Sequence, residues 1–148
     1  MTAQLSTAEL QTAQDLLSTY DPAQPALVNL AQHDGDLDAS FTDLVADAAG
    51  TAAYGEEKRK LKAVFLRNLR REICGNESFR TQVEEYSKKP GQAVLLTGLI
   101  VGLIDLVTLP INPALATVTV LWVLKLGIHT FCDYTEPEKI EADEPKTD

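Results

Sequence analysis

The sequence predicts an all-α protein in which an N-terminal helical module precedes a two-helix apolar hairpin, expected to be transmembrane. Apolar residues recur at helical spacing over most of residues 6–87. From 93 to 124 the only formally charged residue is Asp105. Charge divides the rest. The 148 residues carry 13 Lys and Arg against 22 Asp and Glu, a net −9. Residues 1–50 hold acids but no Lys or Arg, 51–90 are net basic, and 135–148 are again acidic.

The first helix is announced by Ser6-Thr7-Ala8-Glu9, a capping box whose serine hydroxyl and glutamate carboxylate satisfy otherwise open amide donors. Leu10, Ala13, Leu17 and Tyr20 follow on one face. Asp21-Pro22 ends that helix, because a residue before proline avoids the α region. Pro25 suits the first turn of a short second helix carrying Leu27 and Leu30. After a turn at His33-Asp34-Gly35-Asp36 comes a third, with Phe41, Leu44, Val45 and Ala48 as its stripe. Gly50 and Gly55 then bracket a loop.

Residues 56–74 read as a long amphipathic helix. Leu61, Val64, Phe65, Leu69 and Ile73 form its apolar face, and Gly75 is its expected C-cap. Its other face bears Lys58, Arg59, Lys60, Lys62, Arg67, Arg70 and Arg71. These bases, with Lys88 and Lys89, are expected to contact either anionic lipid headgroups or the chain's own acidic block. No aromatic platform accompanies them, so a nucleic-acid partner is not expected. A further helix over 77–87 carries Phe79, Val83 and Tyr86. The module closes at about residue 89.

The hairpin spans 93–128, with its turn at Pro110, Asn112 and Pro113. Its arms, 93–109 and 111–128, would each reach about 26–27 Å, near the lower limit for spanning a bilayer. Lys88, Lys89 and Lys125 flank the arms while the turn lacks bases, which predicts two cytoplasmic termini at a bacterial inner membrane. A polar start gives no reason to expect a secretory signal. Trp122, Phe131 and Tyr134 would serve as interfacial anchors. The alternative is a soluble cytoplasmic bundle with the two apolar helices as its core, since short apolar runs do not distinguish lipid from protein surroundings.

Inside the first arm, Gly98 and Gly102 make a G-x-x-x-G strip that lets another helix approach closely. Asp105 lies on nearly the same face, and Thr117 and Thr119 of the second arm flank its level as hydroxyl partners. The five residues are read as a seam for hairpin self-association or, alternatively, an internal packing face.

Catalytic and metal signatures are lacking. Asp34-Gly35-Asp36-Leu37-Asp38 begins like a calcium loop, but Ala39 replaces the required glycine and Val45 the bidentate acid. His129, Cys132 and Asp133 cluster, with Cys74 and His33 distant in sequence. Two cysteines are too few for a disulfide scaffold. The chain is therefore expected to be non-enzymatic and without cofactor: a small membrane protein, homo-oligomeric, whose helical module binds a protein partner or senses a signal. By architecture it suits a membrane-perturbing effector; the alternative is a soluble helical adaptor whose apolar hairpin is its own core or a partner-docking surface.

Overall fold

The computed structural model describes residues 3–48, 55–107 and 111–134, the side chains at 48, 55–59 and 134 excepted. The expected loop around Gly50, the turn residue Pro110 and the acidic tail lie outside them. The described residues form helices α1 (Thr7–Leu16), α2 (Gln24–Gln32), α3 (Leu37–Ala48), α4 (Gly55–Gly75), α5 (Glu77–Lys88), α6 (Ala93–Leu106), α7 (Pro113–Leu126) and α8 (Ile128–Tyr134), with a 3-10 turn at Asp21–Ala23. The all-helical expectation holds.

Local chemistry explains the helix starts. Ser6 Oγ accepts from the Glu9 amide at 3.1 Å while Glu9 Oε1 accepts from the Ser6 amide at 2.9 Å, the reciprocal pattern of a capping box. Asn76 Oδ1 accepts from Phe79 N at 2.8 Å, and Asn112 Oδ1 from Leu115 N at 2.8 Å. Pro113 occupies the first turn of α7, where its missing N–H costs nothing.

Residues 33–36 end α2 and clasp the N-terminal segment. Asp34 and Gly35 have φ of 55° and 85°. The Gly35 carbonyl accepts from Leu5 N at 2.8 Å, and Ala3 O accepts from Leu37 N at 3.0 Å. Asp36 Oδ1 accepts from Ala39 N at 3.1 Å, so the acid of this turn helps to start α3.

α4 turns Phe65, Leu66, Leu69 and Ile73 inward. Val64, expected on that face, is 45% exposed. At 100° per residue it shares the outward stripe of Lys60, Arg67 and Arg71, while α3 and α8 cover the opposite side.

α7 is the centre of the fold. Every residue from Ala114 to Val123 is buried, and α2, α3, α6 and α8 all pack on it. A helix apolar around its circumference must be enclosed, and here protein encloses it. The apolar arms and the N-terminal module thus share one core. Two expectations change accordingly. α6 and α7 are 14 residues each, about 21 Å long against roughly 30 Å of hydrocarbon; among the described residues, no helix is long and apolar enough to cross a membrane. Trp122 and Phe131 are not interfacial anchors but fully buried. The Trp122 ring meets Phe41 edge-on at 5.4 Å and Phe131 at 6.0 Å, joining α3, α7 and α8.

Gly127, at φ 85°, breaks the chain direction between α7 and α8. This returns α8 to α4, where Cys132 and Cys74 form a disulfide. The pair was not expected from the sequence, and it removes Cys132 from any metal set with His129 and Asp133.

Candidate interaction surface

α6 divides its residues sharply between core and exterior. Leu96, Leu99, Ile100 and Leu103 are buried. Val94, Gly98, Val101 and Asp105 are exposed; at 100° per residue their spacings of four, three and four place all of them within one narrow stripe. Val94 is 83% and Val101 42% exposed, so the stripe is apolar along its length and ends in a carboxylate.

The two glycines of the G-x-x-x-G strip have separate surroundings. A Cβ on Gly98 would meet nothing within 4 Å, whereas one on Gly102 would lie 3.6 Å from Gln82 Oε1 of α5. Gly102 therefore faces the α5 packing interface and Gly98 faces outward. Beside them Asp105, Gly102 and Leu106 share a shallow cleft of about 250 Å³ with Asn76, Phe79 and Gln82.

Thr117 and Thr119 do not meet Asp105. Both are buried in α7, and each hydroxyl donates to its own helix, to Pro113 O at 2.7 Å and Leu115 O at 2.8 Å. This bond four residues back satisfies a threonine hydroxyl without any neighbour. Asp105, on the outer side of α6, bonds to none of the described residues.

The bases split by role. Lys62 Nζ pairs with Asp38 Oδ1 of α3 at 2.5 Å, so the acidic and basic blocks do meet within the chain. Arg70 Nε donates to Cys132 O at 3.0 Å, adding a polar tie next to the disulfide. Lys60, Arg67 and Arg71 are exposed, with Arg71 also reaching Asn68 at 2.7 Å. Lys88 and Lys89 are exposed at the end of α5. The side chains of Lys58 and Arg59 fall outside the described residues.

Lys125, read from sequence as a flank of the second arm, instead crosses to α1. Its Nζ lies 2.7 Å from Glu9 Oε1. That contact and the Ser6 amide hold the Glu9 carboxyl below its usual range. An open cleft of about 680 Å³ with a mixed polar and apolar lining lies on one side of the pair, by Gln4 and Asp34. A more apolar one of about 280 Å³ lies on the other, by Leu16, Leu96 and Leu124.

His33 Nε2 lies 2.6 Å from Asp43 Oδ2, tying the end of α2 to α3. No group of three or more His, Cys, Asp or Glu among the described residues is placed to hold a metal ion.

No known protein family, curated protein or solved structure matches the chain.

Proposed function

We propose that the chain is a non-enzymatic, all-helical interaction module whose apolar helices are its own core. The observation that carries this reading is the enclosure of α7, buried from Ala114 to Val123 by the chain's own helices. Lipid has no apolar circumference left to solvate there.

On this reading the outward stripes make the contacts. Lys60, Arg67 and Arg71 on α4 face an anionic partner surface, and the apolar stripe of α6 takes a helix. The Cys74–Cys132 disulfide supports work in an oxidising compartment, since such bonds are rare where thiols are kept reduced.

Fractionation of expressing cells with an alkaline carbonate wash tests the reading. Recovery in the aqueous fraction is expected, or release by carbonate if α4 adheres to anionic headgroups. A pellet that resists carbonate overturns it and restores the spanning hairpin. Alkylation before and after reduction reads the compartment: cysteines that react without reductant in freshly lysed cells sink the oxidising assignment.

A further inference from the structure

We infer that the outer stripe of α6 is a self-association surface that takes the α6 of a second copy in antiparallel orientation. The inference rests on the self-contained reading above, and it supplies the partner for that stripe.

Apolar shape comes first. Val94, Gly98 and Val101 present an exposed ridge interrupted by a glycine whose Cβ direction is empty. A missing side chain at the middle of a helix face lets a second helix come close.

Charge then selects the occupant and its direction. Asp105 stands exposed at one end of the stripe and bonds to none of the described residues. At the other end, α6 is preceded by Gln92 as its N-cap, whose side chain makes no capping bond. Its first turn therefore offers uncapped amide donors and the positive end of the helix dipole. Lys88 and Lys89 stand exposed just before it. A two-fold axis between Gly98 and Val101 brings Asp105 of one copy level with residue 94 of the other. Each Asp105 then meets the second copy's open α6 start and its lysines. A parallel pair would instead set Asp105 beside Asp105.

One helix face is smaller than the roughly 800 Å² per partner of a standard interface, so the dimer is weak and concentration-dependent.

Sedimentation equilibrium of the oxidised full chain, from about 10 µM to about 1 mM, covers the range of such a contact. A monomer–dimer equilibrium is expected. Val101→Glu, an exposed position, is expected to abolish it with the helical circular dichroism unchanged. Asp105→Lys is expected to weaken the dimer by about tenfold. Combining it with Lys88→Glu and Lys89→Glu recovers part of the lost association, because the lysine share of the attraction exchanges places across the two-fold while the helix dipole does not. A chain monomeric throughout, a dimer indifferent to Val101→Glu, or a charge exchange that recovers none of the lost association overturns the inference. Any of these in carbonate-released or aqueous protein leaves the self-contained reading intact. That reading fails separately, in the membrane pellet.

Discussion

Lys125 of α7 and Glu9 of α1 meet at 2.7 Å although 116 residues separate them in the chain. α1 otherwise packs chiefly on α2, so this contact ties the first helix directly to the central one. Both side chains are partly exposed, at 32% and 44%, and solvent screens the pair to about 0.5 kcal/mol.

The pair gives acid stability a definite sign. Glu9 is lowered from its ordinary value of 4.5, first by the Lys125 hydrogen bond and then by the Ser6 amide. A depressed carboxylate stabilises the fold above the unfolded value, and that contribution is lost as pH falls through the folded one. Urea melts of wild type and Glu9→Gln are expected to differ at pH 7 and to converge below pH 4.5. A difference that grows with acid would contradict this origin.

Reduction of Cys74–Cys132 is expected to be costly. The bond closes a loop between cysteines 58 residues apart, for which loop entropy gives about 4 kcal/mol and measured cases typically about 2–4. Thermal melts with and without reductant, and of Cys74→Ser with Cys132→Ser, should show matching losses. An unchanged melting temperature would mean that α8 docks without the bond.

Trp122→Ala removes the ring that Phe41 and Phe131 both contact, at full burial. A loss of about 3–5 kcal/mol is expected, read by denaturant unfolding. Trp122→Phe keeps much of the volume and should lose less. An interfacial tryptophan would tolerate both replacements, so equal stability of the three proteins would return Trp122 to the surface.

Gly35→Ala tests the clasp at the end of α2. The residue has φ 85°, and a Cβ there would run into the Leu5 carbonyl oxygen, a backbone atom with little room to move. Destabilisation of about 2 kcal/mol or more is expected from the combined strain and clash. Gly91→Ala offers the control: its φ is similar, 87°, but nothing lies within 4 Å of its Cβ. Equal losses at the two positions would show that the Leu5 contact contributes nothing.

The parts of the fold legible beforehand are those set by neighbours in sequence. Ser6 and Glu9, and Phe79 with Val83, lie three or four residues apart, and helix geometry alone brings them together. What surrounds α7 is a different kind of fact. Thr117, Val120 and Trp122 would be equally apolar neighbours for lipid or for Phe41, and Phe41 lies some eighty residues earlier in the chain. Length was the useful clue: once Asn112 caps α7 and Gly127 ends it, 14 residues fall short of a bilayer.

The α6 stripe was half legible. Gly98, Gly102 and Asp105 fall on one side by spacing, but only the position of α5 separates them, taking Gly102 against Gln82 and leaving Gly98 open. The disulfide was hidden for a similar reason. Nothing near Cys74 or Cys132 in sequence indicates that the bend at Gly127 brings α8 onto the end of α4.

The Cys74–Cys132 bond makes α5, α6 and α7 part of a covalent ring. Tension applied to the two ends of the chain runs along α4 to Cys74, crosses the sulfurs, and leaves beyond Cys132. It never pulls the ring's own backbone taut. Stretching can strip α1 to α3 from the outside of α7, but it cannot draw α7 out of the ring until the sulfur bridge is reduced.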